Sequence, residues 1–335
     1  MRGAIIGFGQ VAAQGHLPAW LASPEVQIAA ICDPEADRRH HAFSILRGVR
    51  VYDDVELMLD GERPDFVDVA SPPLFHYQNV RAALESGAHV LVEKPLCLTL
   101  AHFDELMKLA AARSRILMCV HNWKFAPAYL VAAQTLHELG EIRSIALSRM
   151  RTQPAGAAIA SGEWRRESSS GGGILIDHGW HVFYLMHWLM GGLRPLLVSA
   201  HLGPIDDISA EESADIRVIF RDDKIATAHL TWRAPVRRTS AVIYGERGML
   251  EIEGDRVLLA DRDGGRMDLS VIDAPDDSYH SAWFGGVARA FIGEINNGAG
   301  AESERNPAEA RTALALVIGA RESALNGGKT VEITG

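Results

Sequence analysis

Cysteine is scarce in this chain, with three residues among 335, at positions 32, 97 and 119. An odd number of widely separated cysteines does not form a disulfide framework, and their spacing matches no metal-binding pattern. Each lies in or beside an apolar, strand-like run. We therefore expect Cys32, Cys97 and Cys119 to be small core residues of a reduced, cytoplasmic protein.

Positive charge is also in deficit, because 33 Lys and Arg residues face 43 Asp and Glu residues, giving a formal net charge of -10. A general nucleic-acid binder would carry a basic surface, so we expect no nucleic-acid partner. Apolar runs long enough to span a bilayer are missing too, which predicts no membrane partner. The chain runs directly into a strand pattern from its first residues, so no signal peptide is expected.

The first third of the chain shows strand-like runs that alternate with helix-like segments. The strand-like runs are residues 3–7, 26–32, 66–70, 89–92 and 115–120, and helical spacing of apolar residues appears in 78–85 and 101–112. This alternation predicts an α/β domain over residues 1–121, with the doubly wound parallel sheet of a Rossmann fold.

After residue 140 the strand-like runs follow one another directly. They are residues 144–150, 196–201, 214–221, 225–232, 240–244 and 249–252, with predicted helices at 128–139, 176–190 and 307–325. This pattern predicts an α+β domain over residues 122–335, built on a large, mostly antiparallel open sheet. Because the helices are too few to cover both faces of that sheet, we expect an uncovered apolar face that binds a partner.

A glycine-rich turn follows the first strand. Residues 7–12 (GFGQVA) fit the pattern G-x-G-x-x-A, in which the glycines allow a tight turn and close approach to a pyrophosphate. The next strand ends at Asp33, the position of the acidic residue that binds the ribose hydroxyls of NAD. An ordinary turn and a surface aspartate are the alternative. Arg38 and Arg39 leave NADP open as the cofactor.

Glu93, Lys94 and Pro95 come directly after the apolar run 89–92. An isolated lysine at a strand end is often only a solvated charge. However, ligands of open α/β sheets bind beyond the carboxyl ends of the strands, which favours a function for Lys94. Pro95 also makes the preceding peptide bond one that can be cis.

Asp177 and His181 lie four residues apart in an otherwise apolar predicted helix, so they share one face. A buried polar pair needs partners, and a satisfied core histidine is the alternative to a catalytic one. Three glycines at 171–173 favour a ligand cleft over a plain core. His178 points away from that face, so we expect no metal site.

These motifs, taken in order, resemble the Gfo/Idh/MocA oxidoreductases, which include glucose–fructose oxidoreductase and inositol dehydrogenase. The resemblance lies in residues 7–12, 70–76 (ASPPLFH), 93–95 (EKP), 164–165 (WR), 171–181 (GGGILIDHGWH) and 323–329 (SALNGGK). It covers essentially the whole chain. It implies a Rossmann domain followed by an α+β domain whose open sheet forms a homodimer or homotetramer.

The resemblance also implies site residues. The catalytic set is Lys94, Asp177 and His181. The cofactor-binding set is Gly7, Phe8, Gly9, Gln10, Val11, Asp33, Arg38, Ser71, Pro72, His76, Glu93 and Lys94, and the substrate set is Asn122, Lys124, Trp164, Arg165 and Tyr184. Two positions depart from the family, because Tyr184 stands where a second aspartate is frequent and Lys124 stands where an arginine is common.

The expected activity is reversible hydride transfer between nicotinamide C4 and a secondary alcohol of a sugar, cyclitol or sugar derivative. His181 would accept the hydroxyl proton and Lys94 would stabilise the alkoxide, while Asp177 supports them through its charge. Two alternatives are an NAD-dependent glycoside hydrolase that uses transient oxidation and a non-catalytic, cofactor-sensing regulator. Retention of all three catalytic residues argues against the regulator.

Overall fold

The computed structural model describes residues 1–154, 165–167, 171–203, 210–273 and 279–333. The chain divides into two compact units. The first unit is Met1–Asn122 with Ala274–Ala310, and the second is Trp123–Asp273 with Arg311–Gly335. Within the described ranges, no helix combines the length and the apolar character that a membrane crossing requires.

The first unit contains a six-stranded sheet in which every neighbouring pair is parallel. Its strands are β1 (Arg2–Ile6), β2 (Gln27–Cys32), β3 (Arg50–Tyr52), β4 (Phe66–Val69), β5 (His89–Val92) and β6 (Leu117–Cys119). The strand order β3-β2-β1-β4-β5-β6 confirms the predicted doubly wound Rossmann sheet. Strand β3 escaped prediction because three residues are too few to show a period.

The described helices are α1 (Leu17–Leu21), α2 (Ala36–Ile45), α3 (Val55–Glu62), α4 (His76–Glu85), α5 (Leu100–Ala112), α6 (Pro127–Thr135), α7 (Trp180–Leu189), α8 (Ser281–Asn297) and α9 (Ala301–Leu325). Side chains cap the first turn of two of them. At the start of α3, the Asp54 carboxylate accepts a hydrogen bond from the backbone N–H of Leu57. At the start of α5, the Thr99 hydroxyl accepts one from the backbone N–H of His102. Helix α9 begins before its predicted first residue and contains Pro307 within it.

Residues 274–310 differ from the predicted domain division, which assigned all of 122–335 to the second domain. Helix α8 packs in the first unit, where Phe284 lies 5.5 Å from Trp20 in an edge-on ring contact. Asn306 also pairs with β6, accepting from the N–H of Cys119 at 2.7 Å and donating to its carbonyl at 2.8 Å. Burial of these aromatic rings and satisfaction of the exposed edge of β6 hold the segment in the first unit.

The second unit contains a nine-stranded sheet in the order β14-β13-β12-β11-β7-β10-β9-β8-β15. Its strands are β7 (Ile142–Met150), β8 (Pro195–Gly203), β9 (Ser213–Phe220), β10 (Ile225–Thr231), β11 (Arg238–Gly245), β12 (Gly248–Glu253), β13 (Arg256–Asp261), β14 (Arg266–Asp268) and β15 (Val331–Glu332). The β7–β10 pair is parallel and the other neighbouring pairs are antiparallel. The sheet therefore confirms the predicted mostly antiparallel architecture.

One face of this sheet is covered by helices. Leu230 of β10 lies against Gly179, just before α7, and Val198 of β8 lies against Gly319 of α9. The opposite face, called the open face here, is lined by Ala146, Ser148, Ser199, His201, Asp215, Arg217, Thr227, His229, Ser240 and Val242. The expected uncovered face therefore exists, but it is a mixture of small, polar and charged residues and not the apolar surface that was predicted.

Candidate active-site residues

The glycine-rich turn lies at the carboxyl end of β1. Gly7 has a φ of +87°, and a Cβ placed there would lie 2.6 Å from the Cα of Ser71, so this position requires glycine. Among the described residues, no heavy atom comes within 4 Å of a Cβ placed at Gly9. The backbone at Gly9 thus has the open space that close approach of a pyrophosphate needs.

Asp33 follows β2 and is fully buried. Its carboxylate accepts from the N–H of Phe8 at 2.7 Å and from the N–H of Glu35 at 2.9 Å, while a guanidinium nitrogen of Arg38 lies 3.5 Å away. Arg39 donates to the Asp33 carbonyl at 2.7 Å. Asp33 therefore anchors the glycine-rich turn, and the ribose contact assigned to it remains a prediction.

His76 has a fully buried side chain, and the cofactor contact predicted for it stays a prediction. Its Nδ1 lies 2.5 Å from the carbonyl oxygen of Pro95, and its Nε2 lies 2.6 Å from that of Ser71. Burial lowers the pKa of His76 in spite of these two carbonyls. His76 connects the loop after β4 to the loop after β5, whereas Pro72 in the first of these loops is exposed.

Lys94 is the second residue after β5 and is partly buried. Its backbone N–H donates to the Glu93 carboxylate at 2.9 Å, and its peptide bond to Pro95 is cis. The ends of β1, β2, β4 and β5 meet at one edge of the parallel sheet, so the glycine-rich turn, Asp33, Ser71 and Lys94 share that edge.

A buried network behind Glu93 was missed at the sequence level. Nδ1 of His16 lies 3.0 Å from Asp68 and Nε2 lies 3.1 Å from Glu93, while Trp20 donates to Asp68 at 2.7 Å. Burial lowers the pKa of His16, but the two carboxylates outweigh that effect and raise it to about 9. An aspartate inside the buried strand 66–69 was the available signal, because such a charge needs a partner. The network holds the carboxylate that in turn binds the backbone of Lys94.

The second group of candidate residues lies around α7. The predicted single helix 176–190 begins instead with a π-helical turn, Leu175–Gly179, that leads into α7. Asp177 lies in this turn and His181 in the first turn of α7, and both are buried. A π-helical turn changes the angle between side chains, so the simple i, i+4 geometry of an α-helix does not apply to this pair.

Asp177 is surrounded by polar side chains and forms an ion pair with Arg165. Nε of Arg165 donates to its carboxylate at 3.2 Å, and the Nδ1 of His178 lies 3.2 Å from its other oxygen. Trp232 donates its indole N–H to that same Nδ1 at 3.0 Å. Arg165, predicted to bind substrate, is thus placed by the structure as an ion-pair partner of Asp177.

His181 is held by Trp123 and Tyr184. Its Nδ1 lies 2.9 Å from the Tyr184 hydroxyl, which also accepts the backbone N–H of Trp123 at 3.0 Å. The imidazole stacks on the Trp123 indole with ring centroids 4.5 Å apart and planes 10° apart. Tyr184 is fully buried. Tyr184 thus holds the imidazole of His181 at Nδ1, and its predicted contact with substrate stays a prediction.

The remaining predicted substrate residues have varied surroundings. Lys124 is buried, with its ammonium nitrogen 5.6 Å from the Trp188 ring centroid. The side-chain oxygen of Asn122 is buried and has no hydrogen-bond partner among the described residues. Trp164 lies outside the described residues. In the described part of the chain, no three His, Cys, Asp or Glu residues are arranged to hold a metal ion.

Comparisons with known proteins agree with this arrangement. Residues 1–121 match the oxidoreductase family with an NAD-binding Rossmann fold, and residues 132–251 match the GFO/IDH/MocA C-terminal domain. D-glucoside 3-dehydrogenase of Escherichia coli (strain K12) is 30% identical over 204 residues, which are 60% of this chain and 57% of that protein. dTDP-3,4-didehydro-2,6-dideoxy-alpha-D-glucose 3-reductase of Streptomyces antibioticus is 26% identical over 325 residues, 90% of each chain.

A solved structure shows the same fold over the full length. GenD2 from gentamicin A biosynthesis, in complex with NAD, superposes with a TM-score of 0.84 at 22% identity, covering 100% of this chain and 97% of that one. These comparisons give no support to the hydrolase or regulator alternatives. The chain belongs to the Gfo/Idh/MocA family of oxidoreductases, and its residues 1–121 are the NAD-binding Rossmann domain of that family.

Proposed function

We propose that this protein is an NAD-dependent dehydrogenase that oxidises a secondary alcohol of a sugar, cyclitol or sugar derivative, or reduces the corresponding ketone. The observation that carries the proposal is the position of Lys94 beyond the carboxyl end of β5, in the NAD-binding unit. Ligands of such sheets bind at this edge, and an ammonium group there can stabilise a developing alkoxide. The names of the sugar dehydrogenase and sugar reductase relatives support the substrate class.

Each residue has a defined role in the proposed reaction. When bound, NAD supplies the hydride acceptor at its nicotinamide ring. Lys94 donates a hydrogen bond to the substrate oxygen and stabilises its negative charge, and His181 accepts the hydroxyl proton. Tyr184 fixes the imidazole at Nδ1. Asp177 supports this arrangement through its negative charge.

The experiment that tests this function is a screen for NAD reduction with cyclitols, aldoses, sugar acids and nucleotide sugars. We expect NADH to form in proportion to substrate consumed with at least one of these polyols. Glycoside cleavage without net NADH formation would replace the dehydrogenase with the hydrolase. Tight NAD binding with no turnover of any polyol or glycoside would replace it with the regulator.

The cofactor preference is a first prediction. We expect the wild-type protein to bind NAD more tightly than NADP, because the Asp33 carboxylate repels a 2′-phosphate. Asp33→Asn keeps an oxygen that can accept from the Phe8 N–H but removes the charge, so the ratio of the two dissociation constants should fall about tenfold, or ~1.4 kcal/mol.

Isothermal titration with NAD and NADP measures this ratio. Asp37→Asn is the matched control, because Asp37 is an exposed aspartate in the neighbouring helix α2 and the same change there should leave the ratio unaltered. A wild-type preference for NADP would contradict the assignment of Asp33.

Assembly through the open face is a second prediction. Family resemblance implies a homodimer or homotetramer, and the open face is a broad surface of short side chains that a second sheet could pack against. Light scattering should therefore give a dimer or tetramer. Ala146→Arg places a long, charged side chain in the open face and should shift the measured mass towards that of the monomer. Ala112→Arg, at an exposed position in α5, is the control and should leave the mass unchanged. A wild-type monomer at micromolar concentration would overturn this proposal.

A cytoplasmic location is part of the proposal. All three cysteines are free thiols buried in the structure, and burial raises the pKa of both Cys32 and Cys97 to about 12. Thiols of this kind are compatible with a reducing compartment. Cell fractionation should recover the protein with soluble cytoplasmic markers, and recovery outside the cytoplasm would contradict it.

A further inference from the structure

We propose that the substrate carries an oxyanion, a carboxylate or a phosphate, and that Arg149, Arg151 and Arg237 of the second unit bind it. The inference deepens the proposed function and rests on it, because it takes the polyol to bind beside His181. It names a charged class of sugar where the family resemblance names only a polyol.

The sheet register brings the three arginines together. Arg149 and Arg151 are two residues apart at the end of β7, and their side chains therefore point to one face of the strand. Arg149 pairs across the sheet with Thr239 of β11, and Arg237 is the residue just before that strand. The backbone of Arg151 accepts from Ala234 at 3.1 Å, which ties the loop carrying Arg237 to the end of β7.

Arg149 is buried without an ionic partner. It is only 8% exposed, yet no carboxylate among the described residues forms an ion pair with it. Its guanidinium donates to the Thr239 hydroxyl, while its Nε is buried and has no hydrogen-bond partner in the described structure. Burial and, after it, the positive charges of Arg151 and Arg237 together lower the pKa of Arg149 to about 9. A desolvated cation in this state is stabilised by an anion that arrives from outside the protein.

Neighbouring arginines on the same elements show the contrast. Arg233 donates to Glu212 at 2.6 Å, and Arg238 donates to Glu253 at 2.7 Å. In the described ranges, neither Arg151 nor Arg237 forms an ion pair with a carboxylate. Arg151 is partly buried, and Arg237 is exposed. The cluster thus runs from a buried cation to a solvent-facing one, which gives an anion a route to it.

The cluster adjoins the proposed base. The guanidinium carbon of Arg149 lies 4.6 Å from the ring centroid of Trp123. The Trp123 indole also stacks on the His181 imidazole, with ring centroids 4.5 Å apart. The opposing charge is Asp177, which raises the pKa of Arg149 but is itself paired with Arg165. Positive charge therefore exceeds negative charge around Trp123. An oxyanion held here would place a sugar of ordinary size next to His181.

Guanidinium groups select for oxyanions over neutral hydroxyls. Their fixed fork of N–H donors matches the paired oxygens of a carboxylate or phosphate, and the hydrogen bonds are strengthened by charge. A neutral polyol would leave the repulsion among Arg149, Arg151 and Arg237 uncompensated. Uronates, aldonates and sugar phosphates are the classes that meet this requirement.

The test compares substrates that differ only in charge. In the presence of NAD, kcat/KM is measured for a neutral hexose, its uronate and its 6-phosphate, in both the gluco and the galacto series. We expect at least one anionic member to exceed its neutral counterpart by roughly ten- to a hundredfold, mainly through KM. Whichever of the uronate and the 6-phosphate is preferred identifies the oxyanion. If kcat/KM for the neutral hexoses equals that for their anionic counterparts, the inference is wrong.

Variants connect that preference to the cluster. Arg151→Gln and Arg237→Gln should each raise KM for the anionic substrate by roughly ten- to a hundredfold and leave KM for the neutral one almost unchanged. Arg233→Gln and Arg238→Gln are matched controls at paired arginines and should leave both unchanged. Equal losses for neutral and anionic substrates in Arg151→Gln and Arg237→Gln would refute the oxyanion site. Melting temperatures of all four variants identify any general loss of folding.

Binding measured without turnover separates the two proposals. Titration calorimetry of each uronate and each hexose 6-phosphate into the NADH-bound protein should show binding of at least one of them that Arg151→Gln weakens. If binding depends on Arg151 but no polyol reduces NAD, the dehydrogenase function fails and the oxyanion site stands. If only neutral hexoses are oxidised and the anions do not bind, the function stands and the oxyanion site fails.

Discussion

Replacing Lys94 by alanine should lower kcat and kcat/KM together by roughly a hundred- to a thousandfold, which corresponds to about 3–4 kcal/mol of transition-state stabilisation. The physical reason is that the ammonium group acts on charge that appears only as the alcohol loses its proton. NAD binding should change much less than kcat, because the other predicted cofactor contacts, including the glycine-rich turn and Asp33, are untouched. Steady-state kinetics and a NAD titration on one preparation measure both quantities.

Lys108→Ala is the matched control for Lys94→Ala, since Lys108 is an exposed lysine of α5 in the same unit. It should keep normal turnover. If Lys94 were only structural, its variant would show a lowered melting temperature with near-normal kcat for the folded protein. That outcome would remove Lys94 from the catalytic assignment and weaken the dehydrogenase proposal with it.

Replacing His181 should produce a loss of similar size. His181→Ala removes the proposed base, so kcat should again fall by roughly a hundred- to a thousandfold. The rise of kcat/KM with pH that an imidazole base produces should also disappear. The double variant with Lys94→Ala should lose less than the sum of the two, because in the proposed reaction both groups act on one oxygen. Rate profiles against pH for the three variants are the measurement.

Tyr184→Phe separates catalysis by His181 from packing around it. The change removes the hydroxyl at Nδ1 of His181 and leaves the Trp123 N–H without that acceptor. We expect kcat to fall about tenfold, as for the loss of one hydrogen bond, with the pH profile still present.

A pH profile that survives in His181→Ala would show that another group is the base.

Local sequence was sufficient to place the cofactor edge of the fold. Gly7, Asp33, Ser71 and Lys94 each follow an apolar, β-branched run, and the carboxyl ends of parallel strands meet at one edge. The period of apolar residues and the strand-ending motifs are properties of the chain itself. For this reason the doubly wound parallel sheet of the Rossmann domain could be predicted.

Some elements escaped prediction for local reasons. Helix α8 contains Gly285 and Gly286, which weaken the helical pattern, and only its packing against Trp20 makes the helix evident. Strands β14 and β15 are three and two residues long and depend on pairing with β13 and β8. The packing of α8 is what makes the first unit discontinuous along the chain.

The surroundings of the catalytic candidates were decided by tertiary structure. His16 lies 77 residues from Glu93 along the chain, and Arg149 lies 90 residues from Thr239, so no local period connects them. The sequence by itself identified the candidate catalytic residues, since the strand ends and the Asp177 and His181 positions are local. The fold alone decided which carboxylate neutralises which cation and which arginines have none, because charge pairing across a sheet depends on register and burial.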